Sequence, residues 1–78
     1  PSVALSQCPR FRGKYMGRAL RTDRYRFVTW TETETGQVVE RELYNHHVDT
    51  LETRNLAIDP DQASRVQDLE TQLRELVD

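Results

Sequence analysis

The segment of residues 42–57 reads E-L-Y-N-H-H-V-D-T-L-E-T-R-N-L-A, and it joins a strand-like run to a helix-like run. Leu43 and Tyr44 end the first of these runs, whose residue types favour a strand. Leu51 and Leu56 are the apolar residues within the polar connection that follows. These are the side chains that we expect the turn to press onto a sheet.

The same segment carries the signals of a short helical turn. Asp49 and Glu52 stand three residues apart, which suits a reciprocal capping pair. Asn55 falls where such a turn would end, since Asn tolerates a left-handed backbone better than most residues. Taken singly, these side chains are also compatible with an ordinary strand-to-turn connection that has a solvated surface.

Residues 25–33 are the clearest strand in the chain, because most of them are aromatic or β-branched. Successive side chains on a strand point to opposite faces. Tyr25 and Phe27 therefore lie on one face, and Val28 and Trp30 on the other. Apolar residues on both faces predict a central strand that is partly covered on each side.

A hairpin is predicted after this strand, at residues 34–37, where Gly36 supplies a positive φ. Residues 38–44 then return as the neighbouring strand. Alternation places two sets of side chains on opposite faces: Val39, Arg41 and Leu43 on one, and Val38, Glu40, Glu42 and Tyr44 on the other.

Two more strands are predicted upstream. Residues 15–21 form one of them, and a tight turn at residues 22–24 connects it to the central strand. Residues 2–7 form the first strand, which Pro9 either stops or confines to a sheet edge. Residues 10–14 are then a basic loop between the two.

The C-terminal part has a clear helix start, because Asp59 is a capping residue, Pro60 suits the first turn, and Asp61 suits the helix dipole. The helix is predicted to run to about Val77. Its apolar stripe consists of Ala63, Val66, Leu69, Leu73, Leu76 and Val77. A lone helix is marginal in water, so the stripe must pack on the sheet. The prediction is an α+β fold with a small antiparallel sheet of about four strands and one C-terminal helix packed on a face.

The chain has 78 residues, enough for one small domain or a piece of a larger one. Its single cysteine, Cys8, allows no internal disulfide. Because the first residue is Pro1, we expect a fragment of a longer protein. There is no apolar run of about 18 residues, and so no membrane partner is predicted. The sequence does not decide the cellular compartment: a single cysteine is compatible with the cytoplasm or the periplasm, and the longer protein could also be secreted.

Charge is distributed unevenly along the chain. Residues 1–29 contain seven Lys and Arg against one acidic residue, whereas the remainder contains four basic and twelve acidic residues. Such asymmetry indicates either an anion-binding face or two halves that attract each other. The acidic remainder and the overall pI of about 5.6 argue against a nucleic-acid partner.

Residues 42–57 together resemble the segment near the end of type I sulfatases, usually written E-L-Y-D-x-x-x-D-P-x-E-x-x-N-L-A. Two positions depart from the pattern, because Asn45 stands where the family often has Asp and Thr50 where it usually has Pro. The matching positions are Glu42, Leu43, Tyr44, Asp49, Glu52, Asn55, Leu56 and Ala57. In the family this segment supports the structure and has no catalytic role.

Two earlier stretches resemble the iduronate-2-sulfatase or choline-sulfatase branch of that family. Residues 6–10 are similar to S-Q-Y-P-R, with Cys8 in place of tyrosine. Residues 16–27 are similar to M-G-x-x-x-R-T-D-x-Y-R-Y. The resemblance covers most of the chain and implies an alkaline-phosphatase-like sulfatase C-terminal subdomain, which packs beside the N-terminal catalytic domain and helps to shape the substrate pocket.

The resemblance implies that the parent hydrolyses a sulfate ester, on an anionic small molecule or saccharide, through formylglycine and calcium. Neither cofactor is expected in this chain. The family's nucleophile motif is C-x-P/S-x-R, whereas Cys8 is followed directly by Pro9 and Arg10, so Cys8 does not match it. We therefore expect no catalytic residue and no activity of the fragment alone.

Arg10 is the first candidate for binding an anionic substrate, because guanidinium binds sulfate or carboxylate through paired donors. The lower-ranked candidates are Gln7, Arg12 and Lys14. No metal site is predicted, since the adjacent His46 and His47 would point to opposite faces of a strand.

The alternative hypothesis is a free-standing module that binds an anionic partner through its basic N-terminal part and performs no chemistry. A fragment of a larger body should instead expose an apolar patch where its neighbour was, and dimerisation of the isolated fragment would fit that expectation.

Overall fold

The computed structural model describes residues 3–77. Within them an antiparallel sheet has its strands in chain order, and one helix follows, so the predicted α+β architecture is confirmed. The elements are β1 (Ala4–Arg10), β2 (Tyr15–Arg21), β3 (Tyr25–Glu32), β4 (Val38–Asn45), two short 3₁₀ turns (Leu56–Ile58 and Pro60–Gln62) and α1 (Ala63–Val77). None of the helices in this range combines the length and the apolar character needed to cross a bilayer.

The core lies between α1 and one face of the sheet. Phe27 on β3 sits between Leu20 on β2 and Leu43 on β4, and all three side chains are fully buried. Leu69 and Leu73 of α1 pack on them. Burial of each such side chain stabilises the fold by about 1.5–3 kcal/mol, so this small cluster supplies most of the apolar driving force.

The apolar stripe of α1 packs on the sheet only in part. Val66 is half-buried against the core, but Leu76 is 52% exposed and Ala63 is exposed as well. Beside the last turn of α1 the sheet carries Arg18 and Thr29, so the end of the stripe has little apolar surface to meet there. The predicted cap is confirmed, since the Asp59 carboxylate accepts a bond from the Asp61 N–H at 2.9 Å, but it opens the 3₁₀ turn Pro60–Gln62 and α1 begins only at Ala63.

The first strand is longer than predicted and runs to Arg10, through Pro9, which pairs with Met16. β1 is an edge strand, where a missing backbone N–H can face outwards without breaking the ladder. Pro9 therefore confines the strand to the edge and does not stop it. The predicted first residue, Ser2, lies outside the described residues.

An irregularity between Trp30 and Thr31 changes the faces predicted for β4. Trp30 pairs with Glu40, but Thr31 pairs with Val38, so Val39 is the extra residue of a bulge. Val38 consequently lines a cleft beside α1, and Val39 lies with Trp30 on the opposite face. The prediction was wrong for these two valines because alternation assumes an unbroken register.

The segment after β4 also differs from the prediction. Glu52 does not cap the turn at Asp49, because its carboxylate bonds Arg26 instead, and Glu52 itself has the left-handed φ of 57°. Asn55 is extended and caps the following 3₁₀ turn. Leu56 packs against the core as expected, whereas Leu51 is 84% exposed.

Asn55 attaches this segment to the free edge of β4. Its side-chain Oδ1 accepts bonds from the N–H of Leu43 at 3.0 Å and of Ala57 at 2.9 Å. Its Nδ2 donates to the carbonyl of Arg41 at 3.1 Å. One amide thereby satisfies the outward backbone groups of an edge strand, as a fifth strand would.

We predict that Asn55→Ala lowers the free energy of unfolding by about 1–3 kcal/mol, because it leaves the buried Leu43 N–H without a partner. Urea unfolding followed by circular dichroism measures the change. Arg54→Ala is the control, because the neighbouring Arg54 side chain is exposed and pairs with Asp59, so its loss should cost much less. If Asn55→Ala and the unsubstituted chain were equally stable, the Asn55 side chain would not hold the edge of β4.

Candidate functional site

The face of the sheet opposite α1, which we call the open face, carries an organised set of polar and aromatic side chains. The register places Arg10, Trp30, Glu42 and Tyr44 on it, together with Val28. Val28 is only 3% exposed although no helix covers this face. β3 therefore has a buried apolar side chain on each face, Phe27 on one and Val28 on the other, as predicted for a central strand.

Trp30 lies flat across β2 because the residue beneath it is Gly17. A β-carbon at Gly17 would stand 2.5 Å from Cζ3 of the indole ring, which is closer than any ordinary contact. The indole Nε1 donates to Oε2 of Glu42 at 2.6 Å. The ring is therefore fixed by close packing below and by a hydrogen bond at its edge.

Arg10 reaches across from β1 and stacks on this ring, with its guanidinium carbon 4.2 Å from the ring centroid. Stacking uses the flat face of the guanidinium, so its N–H donors, which lie in the guanidinium plane, remain free to bind an oxyanion. Within residues 3–77 the Arg10 guanidinium has no carboxylate within salt-bridge distance. A groove of about 420 Å³ lies beside it, and its other walls include Phe11, Tyr15 and Val39.

Glu42 is held as a carboxylate. Burial raises its pKa, but the bonds from the Tyr44 hydroxyl and Trp30 and the charges of Arg26 and Arg10 outweigh that effect, so the pKa is lowered overall. The Tyr44 hydroxyl donates to Glu42 at 2.6 Å, and this bond is the main reason why the pKa of Tyr44 rises to about 12. Both groups are locked in one protonation state near neutrality, which suits positioning and not proton transfer.

A second ionic cluster lies at the far end of the open face. The Glu52 carboxylate accepts a bond from Arg26 Nη1 at 3.1 Å and meets Nε2 of His46 at 2.7 Å. These contacts tie the turn after β4 back to β3. His47 is exposed, and no group of three or more His, Cys, Asp or Glu side chains in the described part of the chain is arranged to hold a metal ion.

The structure brings three of the four predicted substrate-binding residues to one end of the sheet. Arg10 ends β1, and Arg12 and Lys14 are exposed in the hairpin that follows, in which Arg12 has a φ of 57°. Gln7 does not join them, because it stands three residues before Arg10 and therefore lies on the α1 side of β1. There it faces Arg18.

Residue-type reasoning missed Trp30, Glu42 and Gly17 as parts of this site. Their signal was present in the strand alternation, which puts Trp30 and Glu42 on one face, and in a glycine within a strand, which often marks a close approach. What alternation could not supply was the cross-strand register that sets Gly17 directly under Trp30.

No protein-family model matches the chain, and no curated protein matches it.

We predict that the Tyr44 phenol ionises near pH 12, about two units above an ordinary tyrosine. A folded pKa above the unfolded value means that this bond stabilises the fold fully below about pH 10 and that its contribution is lost towards pH 12. The difference between the absorbance titrations of the unsubstituted 78-residue chain and of Tyr44→Phe isolates this phenol. Glu42→Gln should return its ionisation towards pH 10, and a Tyr44 phenol that already ionises there in the parent chain would contradict the assignment.

We also predict that Gly17→Ala destabilises the fold by about 1–3 kcal/mol, because the added methyl group overlaps the indole ring and must displace it. Emission from Trp30, the one tryptophan of the chain, should move to longer wavelength as the ring becomes more solvated. In a Trp30→Val background the same glycine substitution should cost much less, as judged by urea unfolding. An undiminished cost in that background would mean that Gly17 is required for another reason.

Proposed function

We propose that this chain is the C-terminal subdomain of a type I sulfatase of the iduronate-2-sulfatase or choline-sulfatase kind. The observation that carries the proposal is a convergence on Trp30. Arg10 comes from the S-Q-C-P-R stretch, Gly17 from the M-G stretch and Glu42 from the E-L-Y stretch, and all three contact the same indole ring. Three separate pieces of the family-like pattern thus build one local structure.

The remaining matches support an architectural role for the segment of residues 42–57. Leu43 is fully buried in the core, and Asn55 joins the segment to the edge of β4. The Asp49 carboxylate accepts bonds from the N–H groups of Thr53 and Arg54, at 2.9 and 3.0 Å, which shape the turn. Each of these roles is independent of any reaction, as expected for a subdomain that supports a site elsewhere.

In this proposal the subdomain has the alkaline-phosphatase-like sulfatase arrangement and packs beside an N-terminal catalytic domain. That domain supplies the formylglycine and the calcium ion, and this chain alone is inactive. Arg10 presents its fork to the pocket, held in place by the stack on Trp30. The substrate of the parent is an anionic sulfated small molecule or saccharide, whose charge matches the exposed basic end formed by Arg10, Arg12 and Lys14.

A free-standing module that binds an anionic partner is the second candidate. It is favoured by the same exposed basic hairpin, which requires no neighbouring domain in order to meet an anion. The reading frame upstream of Pro1 discriminates between the two. Several hundred preceding residues that contain C-x-P/S-x-R favour the sulfatase, whereas a frame that begins near Pro1 favours the module.

We predict that Arg10→Ala in the full-length enzyme lowers kcat/KM for a sulfated substrate by about 10–100-fold, because one charge-assisted, bidentate contact contributes about 1.5–3 kcal/mol. Steady-state kinetics measures the loss. Arg10→Lys should recover only part of it, since lysine keeps the charge but lacks the fork. Arg54→Ala is the control, because that arginine is exposed and pairs with Asp59 at 3.4 Å. An unchanged kcat/KM for Arg10→Ala removes Arg10 from the site.

A further inference from the structure

The α1 side of the sheet contains a second cleft that the open-face site does not use. The C-terminal half of α1 stands over strands that carry polar side chains, and a space of about 370 Å³ remains between them. Arg18 lies in the floor of this cleft, between Gln7 on β1 and Thr29 on β3. Leu73 and Val77 of α1 form the opposite wall.

Arg18 is held in this cleft without a partner for its charge. Its Nε is buried and has no hydrogen-bond partner among residues 3–77. A buried donor that has lost its water and gained nothing in return is unfavourable, and for a charged group the cost is larger still. With Nε buried, the terminal nitrogens are the donors of this half-buried guanidinium that remain for an acceptor entering the cleft.

Glu70 also lines this cleft, but its carboxylate bonds Arg41 and Arg74 and makes no bond to Arg18. Oε1 accepts from Arg41 Nε, and Oε2 accepts from Arg74 at 2.9 Å and from Arg41 Nη2 at 3.3 Å. These bonds, with the one from Arg41 foremost, lower the pKa of Glu70 and keep it ionised. The charged residues that line the cleft are Arg18, Arg74 and Glu70, so it has an excess of positive charge.

We propose that this cleft is a binding site for a carboxylate group carried on an apolar body. The carboxylate pairs with the two terminal nitrogens of Arg18, which match its two oxygens, because Nε is buried. The apolar body lies along Leu73 and Val77, which extend towards the exposed Leu76. A free amphiphilic carboxylate and an acidic residue flanked by apolar ones in a polypeptide both have this chemistry.

This inference does not depend on the sulfatase proposal. It uses Arg18 and α1, whereas the proposed substrate contact uses Arg10 on the other face of the sheet. Loss of one site should leave the other intact, so the two proposals can fail separately.

The test is a titration of the 78-residue chain, followed by the backbone amide NMR shifts of Arg18 and Thr29. One arm uses hexanoate, and the other uses a capped tripeptide with one glutamate between two leucines. Saturable shifts with hexanoate identify a free amphiphile as a ligand, and shifts with the tripeptide identify a polypeptide. Absence of saturable shifts in both arms overturns the proposal, as does equal binding of hexanol, which has no carboxylate.

Arg18→Gln should weaken binding at least tenfold. Arg21→Gln is the matched control, because Arg21 is exposed on the same strand and lies on the open face, and it should bind as the parent chain does. In the absence of ligand, Arg18→Met should raise the melting temperature, since it keeps the aliphatic stem and removes the unpaired charge. A fall in melting temperature would show that Arg18 is already paired within the chain and would overturn the proposal.

Discussion

The contact between α1 and Phe27 is the constraint on which the rest of the fold depends. Phe27, Leu20 and Leu43 form one apolar row across three strands, and Leu69 and Leu73 are the buried residues of the helix that close it. A chain of this size buries a modest share of its surface, so no second core of similar size is available. The opposite face of β3 must therefore be stabilised by specific contacts around Trp30, and both edges of the sheet need separate protection.

The edges are protected by two different devices. On β1, Pro9 removes a backbone donor that another strand would otherwise use. On β4, the Asn55 side chain occupies the outward groups of Leu43 and Arg41. Both devices leave fewer free backbone groups for another strand to pair with at the edges.

The fold was predictable to the level of strands, order and helix, because each strand of this meander pairs with its sequence neighbour and local patterns decide such a topology. The errors arose where a contact between distant residues overrides a local preference. Glu52 leaves the expected capping geometry to bond Arg26, which lies 26 residues away in sequence. The bulge at Val39 arises from the register between two strands. Arg10 could be singled out from the sequence because its side chain carries a charge, whereas Gly17 could not, since its role depends on the register that sets Trp30 over it.

The uneven charge of the chain can now be given a structural meaning. Attraction between the two halves would pair the basic residues of β1–β3 with carboxylates of β4 and α1. Within residues 3–77 the ion pairs join only Arg26 to a carboxylate of the acidic half, whereas Arg41, Arg54 and Arg74 pair inside that half. Arg10 stacks on Trp30, and Arg18 lies in its cleft without a partner for Nε. Attraction between the halves therefore acts within residues 3–77 through the ion pair of Arg26 and through the charges of Arg26 and Arg10 near Glu42.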